Sequence, residues 1–391
     1  MFEKHFPRSF HAVISPKNVE LSTPTSKKKG KKVWTLKTAF QIRLYPSKAQ
    51  KKELFRQFDV HRDLYNFCLK EKIDTYEATK TSPSCYDQIK ANIPKFKAET
   101  NTSSLQQTVR RLDKSFAAFF RRMKNGETPG FPRFKKKFKS IDFMAGDGAK
   151  IIGSKLRIQH VGSVKMVNHR GVKQFTRVNV KFVHGDWYAF FTSEKEIETF
   201  PQTDQKIGLD FGLKTFLATS NGEKISSPMP LRDNIKRLAK ATSKRDKAPV
   251  NSKERKKRNR VLRNLHRRIL NIRKDFNHKL SRRLVNQYGV IVIEDLDLEK
   301  LQTEIANINR TYSDVAWGQF SQMLTYKAAN AGRQCIKVNP AFTSQLCTCG
   351  AKTPHDVSKR LFECGSCGRK ADRDVNAAQN ILALGLQCRA L

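Results

Sequence analysis

The sequence predicts a multidomain α+β protein, and three observations carry that prediction. Short runs of alternating apolar and polar residues fill the stretch from about 140 to 200, as in "RVNVKFVHGDWYAFFTSE". Helical periodicity dominates on either side, from Ser47 to Lys124 and again through a very basic stretch at 231–287. An unbroken apolar run, "GVIVIEDLDL", reads as an interior strand of a mixed sheet and ends in acids.

Residues 1–34 contain "STPTSKKKGKKV" with little apolar periodicity and read as a flexible basic arm. "LKTAFQIRLYP" alternates like a strand and stops at Pro46. Ser47 then caps a helix, and "SLQQTVRRLDKSFAAFFRRMK" repeats the pattern with Leu105, Val109, Leu112, Phe116 and Phe119/Phe120 on one side. Arg and Lys fall mostly on the other, so 47–130 reads as a small helical domain with a basic face. "GETPGFPRFKKKFKS" breaks the helix, and the strands up to 203 form a small β-barrel or sheet whose last two strands make a hairpin across "HGD". If the strand at 35–46 joins that sheet, the helical domain is an insertion within it. From 204 onward the pattern is α/β. "QKIGLDFGLKTFLATSNGEKI" is strand, turn, strand; "VAWGQFSQMLTYKAANAG" is a helix; "RQCIKVNP" is a strand; "DVNAAQNILALGL" is a closing helix with Asp374 near its first turn.

Charge narrows the function. Lys and Arg number 77 against 35 Asp and Glu, a formal net charge of +42. A globular chain this basic repels itself unless a polyanion shares its working state. The basic residues recur along most of the sequence, which favours a long nucleic acid in a channel over one docking patch. No apolar run approaches a bilayer span and the N-terminus has no apolar signal core, so no membrane role is expected. Eight Cys at uneven spacing do not resemble a secreted disulfide framework, and a cytoplasmic protein is expected. Cys68, Cys85, Cys335 and Cys388 are scattered and read as ordinary thiols.

Three acids raise a chemical question. Asp210 ends the apolar run "IGLD", where an Asp opening a turn is usually structural. Glu294 ends "VIVIE", where an acid is expensive to bury unless something neutralises it. Asp295 and Asp297 fall toward the loop. Asp374 opens the last helix, where a capping role competes. Two strand-end acids and one helix-start acid can converge at one edge of the sheet. Carboxylates packed that closely favour divalent cations. Hard oxygen ligands with open positions suit two Mg²⁺ about 4 Å apart, the arrangement that hydrolyses phosphodiesters.

"IGLDFGLKTFLATSNG", "VIVIEDLDL", "WGQFSQMLTYKAANAG", "NPAFTSQLC" and "CGRKADRDVNAAQNIL", taken in order, resemble the transposon-encoded TnpB (OrfB) family, relatives of the type V CRISPR effectors. "FQIRLYPSKAQ", "RDLYNFCL", "LQQTVRRLDKSFAAFF" and "GFPRFKKK" extend the resemblance over roughly 35–391. It implies an RNase H-like (RuvC-type) nuclease domain at 204–391 in which Asp210, Glu294 and Asp374 are the catalytic carboxylates. Asp374 is chosen over Asp372 because x-Asn-Ala follows it. It further implies that the basic helices 231–287 form a lid, and that 35–46 and 131–203 form a wedge domain gripping an RNA scaffold and a DNA duplex. The implied function is RNA-guided DNA cleavage by a monomer on one transposon-end-derived guide RNA, in a prokaryotic cytoplasm or nucleoid. A short flanking motif of double-stranded target DNA would be read by the protein. By position Gln106 matches a motif reader, since Gln bonds adenine bidentately. Tyr86 and Lys90 match too, or are ordinary surface residues near a helix end. The alternatives are a nuclease-inactive guided repressor and an RNase H-like strand-transfer transposase.

Cys347, Cys349, Cys364 and Cys367 cluster within 343–370 as "CTCG" and "CGSCG". Four thiolates make a closed tetrahedral site for one structural Zn²⁺. Only Thr348 separates the first pair, one residue fewer than the family's usual gap. His355 is a substitute ligand if the tighter loop cannot use both sulfurs. A ribbon here leads directly into the helix bearing Asp374.

Overall fold

Alternation of apolar and polar residues builds the first of the two larger sheets. The computed structural model describes residues 27–28, 31–32, 35–196, 201, 203–213, 215–296, 314–341, 343–353 and 360–387. Most of the arm read at 1–34 lies outside them. Within it, β1 (Lys27–Lys28) pairs antiparallel with β2 (Lys31–Lys32). The described chain divides after Glu196 into two units.

In the N-terminal unit the strands are β3 (Thr35–Tyr45), β4 (Ser140–Met144), β5 (Ala149–Ile152), β6 (Lys155–Ile158), β7 (Gly162–Met166), β8 (Arg177–Val183) and β9 (Asp186–Glu196). They form one antiparallel sheet in the order β4-β8-β9-β3-β7-β6-β5. Every second residue turns inward, so Ile42, Leu44, Ile141, Phe143, Val178 and Val180 share one core. Val183 pairs with Asp186 across His184 and Gly185. Both have positive φ, 49° and 85°, the two-residue turn whose twist matches that of the strands.

The helices α1 (Lys48–Thr79), α2 (Cys85–Phe96) and α3 (Thr102–Lys124) are inserted between β3 and β4. Ser47 opens α1 with a reciprocal cap. Its Oγ accepts from the Gln50 N–H at 3.2 Å, and Gln50 Oε1 accepts from the Ser47 N–H at 3.0 Å. Leu54 and Phe58 of α1 sink into the sheet core. One turn further, Leu64, Tyr65 and Leu69 meet Leu105, Val109 and Leu112 of α3. Buried His61 bonds Thr108 at 2.8 Å and Ser104 at 3.2 Å, and burial drives its pKa down to about 3, so the ring stays neutral. The core face of α3 stops at Leu112. Phe116 is half-buried and Phe120 is 60% exposed.

The C-terminal unit holds β10 (Lys206–Phe211), β11 (Leu217–Thr219), β12 (Lys224–Ile225), β13 (Val290–Glu294) and β14 (Gln334–Val338) in the order β12-β11-β10-β13-β14. The hairpin strands β10, β11 and β12 are antiparallel, whereas β10, β13 and β14 run parallel. β13 is buried along its whole length because both faces are covered. Ile291 and Ile293 pack toward α5 (Lys253–Gln287) and α6 (Trp317–Asn330), through Leu284, Phe320 and Leu324. Val290 and Val292 face α7 (Arg373–Gln387), through Ile381 and Leu384.

The last stretch of α5 therefore belongs to the sheet packing, and its first half pairs with α4 (Pro230–Asp246) through Leu238, Leu262 and Ile269. Asp314 caps α4, its two oxygens accepting from the N–H groups of Leu231 and Arg232 at 2.9 Å each. Before α7 comes a small hairpin, β15 (Leu361–Glu363) against β16 (Lys370–Asp372). Among the described residues no helix is long and apolar enough to cross a membrane.

Candidate active site

Sheet register brings the first two acids together. Leu209 of β10 lies opposite Ile293 of the parallel strand β13. The next residue on each strand is Asp210 and Glu294, so the two stand side by side at the strand ends, with the strands about 4.8 Å apart. Alternation then sets the direction. Gly208 and Val292 face α7, hence so do Asp210 and Glu294, two residues on.

The third acid arrives because α7 lies unusually close. A Cβ on Gly208 would sit 2.1 Å from the Ala378 carbonyl oxygen, and one on Gly385 would sit 2.4 Å from Val292 Cγ1. With glycine at both points the helix rests flush on β10 and β13, and its first turn carries Asp374, 7% exposed, toward the strand-end pair. Asp374 does not cap the helix. Asp372 does so, accepting from the N–H groups of Asp374 at 3.1 Å and Val375 at 3.3 Å, while its other oxygen takes Lys224 at 2.6 Å.

Asp210 feels the other two carboxylates. Burial, then the charges of Glu294 and Asp374, push Asp210 up to about 8, against a smaller opposing pull from Arg373. Burial raises Glu294 too, offset by a 2.6 Å hydrogen bond from the Thr343 hydroxyl. Asp374 is held on both oxygens by guanidinium groups, Arg360 at 2.7 Å and Arg373 at 3.1 Å. Arg360, Arg373 and Thr343 escape a reading of the sequence. Only Arg373 has a local signal, its place between the two acids of "DRD". Asp295 lies outside the group, paired with Lys337 at 2.8 Å.

Such a donor set suits a hard divalent cation: three carboxylates and a pocket in which Asp210 resists ionising until more positive charge arrives. The acids are not drawn into a tight cage. Among the described residues only the four cysteines bring all their ligand atoms within 4.8 Å of one another.

The cysteines fit a metal closely. Cys347 Sγ is 3.7 Å from Cys367 Sγ, and Cys349 Sγ is 3.7 Å from Cys364 Sγ. A tetrahedron with metal–sulfur bonds of about 2.3 Å has edges of about 3.8 Å. The short Cys347–Cys349 gap therefore delivers both sulfurs. Backbone N–H groups of Cys367 and Ser366 pull the Cys364 thiol down to about 6, while the neighbouring sulfurs push Cys367 up to about 12, as expected of crowded thiols sharing charge. Buried Asn376 and Asn380, one turn apart on α7, donate to the Leu346 carbonyl at 2.8 and 2.6 Å, and Asn380 also reaches the Thr343 carbonyl at 2.9 Å. One helix thus anchors both the cysteine loop and Asp374. His355, Asp297 and Cys388 lie outside the described residues.

Of the residues matched to motif reading, Gln106 is half-buried on α3, whereas Tyr86 and Lys90 are exposed on the neighbouring helix α2.

Comparison with known proteins decides the family. Residues 189–304 match a family model described as "Probable transposase", 317–381 match "Cas12f1-like, TNB domain", and 36–81 match "Helix-turn-helix domain". A Streptomyces pristinaespiralis protein named "Putative RNA-guided DNA endonuclease" is 33% identical over 375 residues, 91% of each chain. The chain belongs to the TnpB (OrfB) family. InsQ of Escherichia coli K12, which carries the same name, is 29% identical to this TnpB-family protein over 89% of the chain and 92% of its own length. The region matched as helix-turn-helix folds here as strand β3 followed by the single long helix α1. Among solved structures, that of a Cas12f1–sgRNA–target DNA complex superposes with a TM-score of 0.55 at 15% identity, covering 89% of this chain and 98% of that one. The multidomain α+β architecture is thus shared with a Cas12 effector.

Proposed function

We propose that this TnpB-family protein is an RNA-guided DNA endonuclease of a transposable element, cutting DNA that pairs with its guide RNA. The observation that carries the chemistry is the coupling of Asp210, Glu294 and Asp374 at one end of the second sheet. Family membership, the names of its relatives and a net charge of +42 support the nucleic-acid partners, a guide RNA and double-stranded DNA. Three antiparallel strands joined to two parallel ones, with helices on both faces, support an RNase H-like, RuvC-type reading. The antiparallel sheet at 35–46 and 131–203 is the wedge, the helices at 47–130 the recognition domain, and the exposed part of 231–287 the lid.

In this reading Asp210, Glu294 and Asp374 hold two Mg²⁺. When bound, these ions supply an activated water and stabilise the leaving 3′ oxygen. Asp210 and Glu294 fix two neighbouring oxygen donors on rigid strands. Asp374 adds a third from a helix that cannot tilt, because Gly208 and Gly385 seat it. Thr343 orients Glu294 by its hydrogen bond. Cys347, Cys349, Cys364 and Cys367 hold one structural Zn²⁺, which fixes the ribbon against α7. Gln106, with Tyr86 and Lys90, reads the flanking DNA motif.

The test is cleavage of a plasmid library with randomised flanks, using protein purified with its co-expressed RNA. Wild type should cut next to one short motif, and Asp210→Ala should not cut at all. Cutting that persists in Asp210→Ala would move the centre elsewhere, and joined DNA ends in place of cut ones would favour a transposase.

A further inference from the structure

We infer that the end of α3 and the loop after it form a stacking platform for unpaired bases of a bound RNA. The inference rests on the RNA-guided reading above and deepens it: the surface lies where the recognition helices give way to the wedge, and none of its side chains has yet been given a role. Four large apolar side chains stand out there. Phe120 is 60% exposed, Met123 53%, Phe131 49% and Phe134 53%. Soluble proteins seldom leave so many large apolar groups together on one stretch unless something covers them.

The rings are held in place. Phe131 meets Phe116 edge-on with centroids 5.5 Å apart, and Phe119 at 5.4 Å. Phe119 in turn packs against Phe120 at 5.2 Å. Pro132 is buried, so the exposed rings on either side of it flank a fixed point. Asn66 of α1 clamps the next residue from both directions, donating to the Lys135 carbonyl at 3.0 Å and accepting from the Lys135 N–H at 2.8 Å. The side chain of Arg122 lies along the loop, 3.5 Å from where a Cβ on Gly130 would stand.

Charge names the occupant. From Lys114 to Lys139 Glu127 is the sole acid, while Arg121, Arg122, Lys124, Arg133, Lys135 and Lys136, all exposed, alternate with the rings along the chain. An apolar protein partner would gain nothing from that rim, whereas a phosphodiester backbone would. Flat exposed rings among cations are the means by which single strands are bound without regard to sequence. A duplex hides its base faces, so the occupant is unpaired. RNA is favoured over DNA because these rings are uncovered in the protein alone and need a standing partner, whereas target DNA offers a free strand only after it has been opened.

The experiment uses the full chain. Its co-expressed RNA is labelled with 4-thiouridine, the purified complex is irradiated, and crosslinked peptides are mapped. Crosslinks should fall on 116–134 before any DNA is added. Crosslinks to this stretch arising only from 4-thiothymidine in added target DNA would overturn the assignment to RNA, and none from either would remove the platform. In parallel, protein freed of nucleic acid is titrated with a short oligouridine and with an RNA duplex. The double variant F131L/F134L keeps apolar bulk but loses the flat rings. It should weaken oligouridine binding about tenfold with an unchanged salt slope, and leave duplex binding alone. Equal loss on both RNAs, or none, would overturn the proposal. Both positions are exposed, and an unchanged melting temperature checks the fold. Lost guided cleavage with the crosslinks intact would strike the nuclease reading and spare the platform.

Discussion

Asp210 and Glu294 stand shoulder to shoulder, each one residue beyond the Leu209–Ile293 pair of two parallel strands. Backbone register fixes that closeness, so the two charges cannot relax apart. The protein therefore carries repulsion at its centre whenever neither a cation nor a proton offsets it.

This gives a pH signature. Asp210 is raised to about 8 when folded, whereas an unfolded Asp titrates near 4. Between those values the folded chain binds the extra proton, so stability of the metal-free protein falls as pH rises from about 4 to 8. Asp210→Asn should flatten that slope and melt higher than wild type at pH 8. Guided cleavage by the same variant should drop about 100-fold or more. Melting curves in EDTA at several pH values, beside a cleavage assay, check both.

Gly385 lies against Val292 on β13. Gly385→Ala should destabilise the C-terminal unit by about 1–3 kcal/mol, since the new methyl has no room. It should also slow cleavage, because α7 must lift and carry Asp374 with it. Denaturant unfolding and single-turnover rates measure the two effects. Normal rates on a destabilised protein would mean that helix seating does not govern the site.

Arg360 holds Asp374 at 2.7 Å from a position outside α7. Arg360→Gln should cost the metal-free protein about 1–3 kcal/mol, because a mostly buried carboxylate loses a charged partner. Added Mg²⁺ should recover part of that loss. The comparison is thermal melting of both proteins with and without the metal.

Cys364→Ser should lower bound zinc to well below one ion per chain. Asn376 and Asn380 tie the cysteine loop to α7. Hydrogen exchange should therefore quicken in 343–353 and 360–372 and spread into the first turn of α7. Elemental analysis and exchange mass spectrometry follow the two effects. Unchanged protection in α7 would separate the ribbon from the acidic centre.

Much of this was legible because it rests on local patterns. Ser47 announces α1, and Pro46 ends β3. Burial on both faces leaves β13 as an uninterrupted apolar run with Glu294 at its tip. The three acids could be paired in thought because each sits at the end of an element. What stayed hidden depends on distant partners. Nothing near Arg360 in the sequence points to Asp374, and nothing near Asn376 points to Leu346. The capping role open to Asp374 falls to Asp372, because it is the Asp372 carboxylate that faces the N–H groups. The apolar side of α3 runs on to Phe120, yet the fold fully buries it only to Leu112. A helix that outruns its partners leaves the same periodicity as one that does not.

The glycine seats of α7 bear on how this chain can vary. Each residue added or removed between Asp374 and the part of the helix seated on Gly208 turns Asp374 by about 100°, away from its two companions. Length changes ahead of Arg373 preserve that helical phase, but the tip between β15 and β16 is closed to them because its spacing sets Cys364 and Cys367.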